Sequence, residues 1–366
     1  MESSVAELAA ALVGIDSVNP ELVPGGAGET EIASYVAGWL ETAGLEVEVE
    51  EAATGRPSVV GIARGRGGGQ SLLLNAHMDT VGYAGMEHPL EPRIEDGRLY
   101  GRGAYDMKGS LAAIMVAGAE AAKENLRGDV LVTAVADEEV ASVGSEAVAQ
   151  CHAADAAIVS EPTELRLVVA HKGFVWLEIE TFGKAAHGSR PDLGIDAIVR
   201  MGRVLTGLGA LDEALRANPS HRLLGSGSLH ASLIEGGQEL SSYAERCLLQ
   251  LERRTVPGET PALVEEQVRQ VLDGDDGEVR TTFVREPFEV SEDEPVVEMV
   301  RRHAGEPEVV GAPFWADSAV FAAAGIPTVL FGPKGEGAHA EVEWVDLASL
   351  ERCKDIYLTV ARELCA

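Results

Sequence analysis

Five short segments place side chains that favour metals after apolar runs or inside glycine-rich loops. They are LLLNAHMDT with His77 and Asp79, GRGAYDMKG with Asp106, VTAVADEEV with Asp137, Glu138 and Glu139, AIVSEPTE with Glu161, and FGPKGEGAHAEVEW with His339. Two imidazoles and three carboxylates suit a pair of divalent cations with one carboxylate bridging. Zinc accepts both donor types and keeps a coordination position for water. Two such ions about 3.5–4 Å apart polarise a carbonyl and lower the pKa of a shared water. The neighbours Glu138 and Glu139 allow one carboxylate to hold metal while the other shuttles protons. Each segment alone has a plainer reading, as a surface His–Asp pair on a strand, an acidic helix start, a turn or a loop histidine. Their joint occurrence carries the signal.

Four of the five segments follow strand-like runs, and in open α/β sheets ligands collect beyond the carboxyl ends of strands. Helical spacing at 5–12, 29–40 and 106–123 alternates with strand-like runs at 45–49, 71–76, 129–135 and 156–159. Apolar runs this continuous predict a sheet covered by helices on both faces, an α/β arrangement. From about residue 172 the texture changes. Strand-like alternation at 173–182, 228–234, 246–253 and 279–284, with helical spacing at 195–208 and 261–272, gives the β-α-β-β-α-β order of a ferredoxin-like α+β unit. Helical texture returns at 295–303 and 318–324, with a buried strand at 327–331. The expected organisation is a catalytic domain with a mostly parallel sheet, formed by 1–171 and 288–366, interrupted by an α+β domain at 172–287.

The motifs HMDT (77–80), GRGAYDMKGS (101–110), DEE (137–139), SEPT (160–163) and the late GAHAEVEWV occur in order, preceded by LVGIDSVNP at 12–20. Together they resemble the M20 family of di-zinc metallopeptidases, over nearly the whole chain. That family includes acetylornithine deacetylase, succinyl-diaminopimelate desuccinylase, aminoacylase and glutamate carboxypeptidase. The resemblance implies that His77 and Glu161 hold one zinc, Glu139 and His339 the other, and that Asp106 bridges them. It implies that Asp79 clamps the His77 imidazole, that Glu138 is the general base for a zinc-bound water, and that the peptide after Asp106 is cis. The inserted domain would be a lid through which two chains dimerise. His187, in GKAAHGSRPDLGIDAI, would then reach the partner's active site and stabilise the oxyanion. Arg254, in LQLERRTVPGET, would anchor a substrate carboxylate, with Arg253 the competing choice because strand alternation turns only one of them to the cleft. Relatives place an asparagine before this strand, where the present chain has GGQELSSYAERC and Ser242 stands nearest. The implied reaction is deacylation of an N-acyl amino acid, with a dipeptidase or carboxypeptidase as the alternative and a non-catalytic metal-binding protein behind both. Cobalt or manganese would suit the same donors.

Other features bound the reading. The 366 residues carry 60 acidic and 29 basic side chains, a formal net charge of -31. Such a surplus of acid repels nucleic acid and anionic membrane surfaces. The four cysteines form no C-x-x-C pair and read as reduced thiols of a cytoplasmic protein. MESSVAELAAALVGI, with Glu2 and Glu7, reads as a helix rather than a signal peptide, and the apolar run at 111–119 is too short to span a bilayer. RGRGGGQ at 64–70 lacks the following helix of a phosphate loop and predicts an exposed hairpin connection. DGDDGE at 273–278 lacks the final glutamate of a calcium loop and reads as a solvated turn. SEDEP at 291–295 reads as a helix start capped by its serine. Trp315 and Asp317 are placed as pocket lining, with a helix cap the equal alternative for Asp317. His88, His152, His171, His221, His230 and His303 have no metal spacing and read as ordinary histidines.

Overall fold

The first helix begins at a reciprocal cap. Ser4 Oγ accepts the Glu7 N–H while the Glu7 carboxylate accepts the Ser4 N–H, and α1 (Val5–Val13) follows with Val5, Leu8, Ala9, Leu12 and Val13 buried. The computed structural model describes residues 4–272, 274 and 276–366. Glu2, and Asp273 and Asp275 of the DGDDGE segment, lie outside the described residues. The chain divides into two compact units, one running to Val169 and including Val290–Val310 and Ala316–Ala366, the other comprising Ala170–Glu289 and Gly311–Trp315. Residues 311–315 thus group with the second unit, whereas the sequence reading puts them in the C-terminal part of the first.

Along the first unit come α2 (Thr30–Thr42), β1 (Glu46–Ala53), β2 (Arg56–Ala63), β3 (Leu72–His77), β4 (Arg93–Glu95), β5 (Arg98–Tyr100), α3 (Gly109–Ala121), β6 (Val130–Val135), α4 (Val143–Cys151), β7 (Ala156–Val159) and β8 (Leu167–His171), whose last two residues enter the second unit. The helix expected over 106–123 starts only at Gly109, because 104–108 form a separate irregular turn with non-helical φ/ψ at Asp106 and Met107.

In the second unit, β9 (Gly173–Phe182), α5 (Ala197–Ala217), β10 (Ser228–Gly236), β11 (Arg246–Thr255), α6 (Pro261–Val271), β12 (Gly277–Arg285) and β13 (Phe288–Glu289) follow. Its four-stranded antiparallel sheet has the order β10-β11-β9-β12. The alternating residues Val175, Leu177 and Ile179 of β9 and Leu249 and Leu251 of β11 share a core with Met201, Val204 and Leu208 of α5 and Val264 and Val268 of α6. One face of the sheet is therefore closed by the two helices, the ferredoxin-like pattern.

The chain returns through α7 (Pro295–His303), β14 (Val309–Ala312), α8 (Ser318–Ala323), β15 (Thr328–Leu330), β16 (Gly335–Glu336), β17 (Trp344–Asp346) and α9 (Leu347–Leu364). The expected serine cap is not used: Glu294 stands at the start of α7, no side chain caps it, and Ser291 Oγ accepts the Asp293 N–H instead.

The large sheet of the first unit runs β1-β2-β6-β3-β7-β15-β8. The four central strands β6, β3, β7 and β15 are parallel, while β1, β2 and β8 add antiparallel edges. Helices cover both faces, and α3, buried all round, packs against α1, α9, β3 and β6. Since β6 lies between β2 and β3, the glycine-rich 64–70 segment is a crossover and not the expected hairpin. It docks on the chain before β6, with Arg66 and Gly67 N–H donating to the Leu126 and Arg127 carbonyls. A Cβ at Gly65 or Gly69 would come within 2.4 Å of that backbone, and Gly67 and Gly68 sit at positive φ, which explains the glycines without a ligand. A small second sheet, β16-β17-β5-β4, was too short to show in the sequence. No helix among the described residues is long and apolar enough to cross a membrane.

Candidate metal centre

Because β6, β3 and β7 are parallel neighbours, the residues just past their carboxyl ends share one edge. His77 ends β3, the Asp137–Glu139 turn follows β6, and Glu161 follows β7. The loop before α3 brings in Asp106, and the loop between β16 and β17 brings in His339. His77 Nε2 lies 3.1 Å from Asp106 Oδ1 and 3.9 Å from both Glu138 Oε2 and Glu161 Oε1. His339 Nε2 lies 3.4 Å from Asp106 Oδ2 and 3.2 Å from Glu139 Oε2. Asp106 therefore turns one oxygen to each histidine, and all six side chains meet in one place. Two overlapping groups, His77 with Glu138 and Glu161 and His77 with Asp106 and Glu139, each hold their ligand atoms within 4.8 Å of one another. Distance from His77 does not separate Glu138 from Glu161. The Asp106–Met107 peptide is cis.

The charges are crowded. Burial pushes Glu138, Glu161 and Glu139 above the usual carboxylate range, and the neighbouring carboxylates add to the effect. Burial alone would lower the His77 imidazole, but its bond to Asp106 and the Glu161 and Glu138 charges outweigh this and hold it well above its ordinary value. Hydrogen bonds to Asp106 and Glu139 lift His339 to about 10. For Asp106 the desolvation is outweighed by its two histidine partners, and its pKa is lowered. Such a concentration of buried acid is stable only when matched by positive charge. Glu139 Oε1, buried without a hydrogen-bond partner, is an acceptor with its lone pairs still to place. The donor set is oxygen and imidazole nitrogen, which fits divalent zinc, cobalt or manganese.

Asp79 does something other than the sequence reading expects. The His77 Nδ1–H is directed at the main-chain carbonyl of Asp79 at 2.9 Å, whereas the Asp79 carboxylate stands 3.6 Å away. That carboxylate instead accepts the Glu138 N–H at 3.1 Å and the Glu139 N–H at 3.2 Å. It is fully buried and also receives Asn19 Nδ2 at 2.8 Å. Asn19 in turn donates to Asp137 Oδ1 at 3.0 Å, where Arg56 Nη2 also arrives at 2.8 Å. Arg56 forms a two-pronged pair with buried Glu29, at 2.8 and 2.7 Å. A network of five side chains thus fixes the turn that presents Glu138 and Glu139.

The other loop has an equivalent brace. Glu343 is buried and accepts the N–H groups of Tyr105 at 2.8 Å, Asp106 at 3.0 Å and Gly103 at 3.1 Å, with Arg102 Nη1 at 2.6 Å. Arg102 also donates to the Ala340 carbonyl at 2.9 Å, next to His339. Gly103 sits at φ 79, and a Cβ there would come 2.8 Å from Thr80 and 3.0 Å from Lys108. Asn19, Glu29, Arg56, Arg102 and Glu343 were not singled out from the sequence. Asn19 and Glu343 lie inside segments already marked, LVGIDSVNP and GAHAEVEWV, but nothing in their type separates them from ordinary surface residues.

Asp317 is buried beside Ser145, whose hydroxyl donates to it at 2.7 Å, and it makes no cap bond to α8. Trp315 belongs to the second unit, its Nε1 donating to the Glu286 carbonyl at 3.1 Å and its ring edge-on to His171 and Phe174. His187 and Arg254 also lie in the second unit. The His187 ring is exposed, and its Nδ1 faces Ser189, with the N–H at 3.2 Å and Oγ at 2.8 Å. Ser242 bridges to His187 through the backbone and donates its hydroxyl to Glu239 at 2.6 Å. Arg254 is partly exposed, bonded to Glu252 at 2.7 Å and stacked over Phe174. Arg253 faces the opposite way, fully buried and paired with Glu259.

Residues 73–363 match the sequence profile of Peptidase family M20/M25/M40. The acetylornithine deacetylase of Myxococcus xanthus is 31% identical over 357 residues, covering 91% of this chain and 92% of the relative. Among solved structures, the M20 family metallo-carboxypeptidase Sso-CP2 of Sulfolobus solfataricus superposes with a TM-score of 0.81 at 20% identity, covering 99% of this chain and 100% of that one. The YXEP protein of Bacillus subtilis, described as a dinuclear metal binding peptidase, gives 0.74 at 17% identity, with 98% of each chain covered.

Proposed function

The chain belongs to peptidase family M20/M25/M40, a family of hydrolases, and from this premise we propose that it removes the acyl group from an N-acyl amino acid, as an acetylornithine or succinyl-diaminopimelate deacylase does. The observation that carries this reading is the convergence of His77, Asp106, Glu138, Glu139, Glu161 and His339 around the two faces of one aspartate. In this proposal His77 and Glu161 would hold one divalent ion, Glu139 and His339 would hold a second, and Asp106 would serve both; zinc is the first choice, with cobalt or manganese fitting the same donors. When bound, the ions supply Lewis acidity toward the amide carbonyl and toward water.

The protein's own side chains do the rest. Glu138, not needed as a ligand in this assignment, takes the proton from the attacking water at its carboxylate and returns it to the leaving amine nitrogen. Asp79 keeps that carboxylate in register by holding the Glu138 and Glu139 amides. His187, with Nδ1 engaged by Ser189, offers Nε2 as the donor to the oxyanion of a partner chain's substrate. Arg254, partly exposed and bonded to Glu252, is the guanidinium offered to a substrate carboxylate, whereas Arg253 is buried against Glu259. A homodimer through the second unit is supported by the unpaired edge strand β10, with Leu233 and Ile234 exposed, beside exposed Ile198 and Val199 of α5. The four cysteines are all free, which suits a cytoplasmic location.

The test is metal analysis followed by hydrolysis of N-acetylornithine, N-succinyl-diaminopimelate and a dipeptide panel. Glu138→Gln is expected to lower kcat by about 10²–10⁴-fold with bound metal unchanged. Undiminished turnover in that variant rules out the mechanism, and a preference for dipeptides rules out the deacylase in favour of a peptidase.

A further inference from the structure

Away from that centre, β1 and the end of α4 build another cluster of ligating side chains. Glu48 and Glu50 are two residues apart on β1 and so project from the same face of the strand. Among the described residues β1 is an edge strand, bonded only to β2. His152 closes α4, its N–H donating to the Val148 carbonyl at 2.8 Å. It is one of the histidines that sequence spacing leaves without a role.

Its environment is unusual. The His152 side chain is only 9% exposed, and Nε2 is buried without a hydrogen-bond partner. The nearest oxygens are Glu50 Oε1 at 3.5 Å and Glu48 Oε2 at 3.8 Å. Both distances exceed a proper hydrogen bond. They approach the separation of about 3.3 Å that two ligands bound about 2.0–2.1 Å from a tetrahedral ion would have. The three ligand atoms all lie within 4.8 Å of one another. The nearby cation Arg64 is committed to Glu46 and Asp129 and pairs with neither glutamate. Beside them a hollow of about 290 Å³, lined in part by Glu48, Asp129, Cys151 and His152, leaves room for water to complete a coordination shell.

We propose that Glu48, Glu50 and His152 bind one divalent transition-metal ion of the zinc class, separate from the catalytic centre. One imidazole with two carboxylates favours zinc, cobalt or nickel over calcium and magnesium, which prefer all-oxygen shells. The ion would tie the outermost strand of the sheet to the carboxyl end of α4, the helix that begins just after the Asp137–Glu139 turn.

The experiment compares the metal content of the holoenzyme with that of His152→Ala and of the surface double variant Glu48→Gln/Glu50→Gln. Each protein is equilibrated with low-micromolar zinc, passed through gel filtration and measured by mass spectrometry, with circular dichroism confirming the fold. The readout is the difference between proteins, so it does not depend on how many ions the catalytic centre holds or on what that centre hydrolyses. Wild type is expected to carry one zinc per chain more than either variant and to gain a zinc-dependent rise in Tm that both variants lack. Equal zinc content in wild type and the double variant overturns the proposal. An equal gain with calcium or magnesium overturns the assigned metal class.

Discussion

Glu343→Ala removes the acceptor that gathers Arg102 and three backbone amides around the loop carrying Asp106. Both partners are sealed from water, with side-chain exposures of 1% for Arg102 and 0% for Glu343. Burial pushes the Glu343 carboxyl up, and the amides of Asp106 and Tyr105 push it back. Every polar neighbour named for it is a donor, so it acts as an anion. Stranding a buried arginine costs about 3–5 kcal/mol. Leaving three amides without an acceptor adds about 1 kcal/mol each at the low end, for a total near 6–8 kcal/mol if the cavity stays dry. Water entering the vacated space would reduce this, so at least about 4 kcal/mol is expected, or a fall in Tm of about 8 °C or more for a unit of this size. The companion variant Arg102→Met/Glu343→Ala removes the stranded charge and is expected to recover about 2 kcal/mol or more of the loss. Calorimetry and urea unfolding of wild type, both single variants and the double variant provide the cycle. A loss below about 1 kcal/mol in Glu343→Ala, or a double variant no more stable than that single one, would refute the claim that this carboxylate braces the loop.

Two further outcomes follow from buried groups. Arg56→Met leaves Glu29 and Asp137 facing each other without their cation and is expected to cost about 3–5 kcal/mol in urea unfolding; a cost under about 1 kcal/mol would show that the pair is not needed to hold the Asp137–Glu139 turn. Among the thiols, Cys151 is exposed, while burial raises Cys247 and pushes Cys353 and Cys365 up to about 12. Native protein at pH 8 is therefore expected to take up one equivalent of a thiol reagent quickly and four only after denaturation, as read by mass spectrometry; rapid labelling of Cys353 would contradict the packing around α9.

The sequence exposed those residues whose type is rare at such positions. A histidine or a run of acids directly after a buried strand stands out, and strand periodicity places His77, the Asp137–Glu139 turn and Glu161 on one edge. The alternation of LERR likewise predicts that Arg253 and Arg254 face opposite sides, as they do. The braces were not legible. Glu343 meets Arg102 across 241 positions and Asn19 meets Asp137 across 118, and no local pattern marks either pair. Asp79 shows a related limit: spacing placed it beside His77, but only the backbone path reveals that its carbonyl, not its carboxylate, meets the imidazole. The glycines at 64–70 misled because close backbone packing and exposed turns call for the same residue.

The place of β15 in the sheet bears on how the chain is made. β15 (Thr328–Leu330) pairs in parallel with β7 (Ala156–Val159), and between them the ribosome must synthesise the whole of the second unit. At about 5–20 residues per second, those roughly 170 residues take on the order of 10–30 s. Throughout that interval β7 has one bare edge, and Asp106, Glu139 and Glu161 await His339. The strands β9 to β12 of the second unit pair with one another, and β13 pairs with the unit's own segment at the end of β8, so this unit can finish folding first. Nascent chains stalled before residue 328 are thus the species in which an unpaired parallel strand is open to chaperones or to a neighbouring chain.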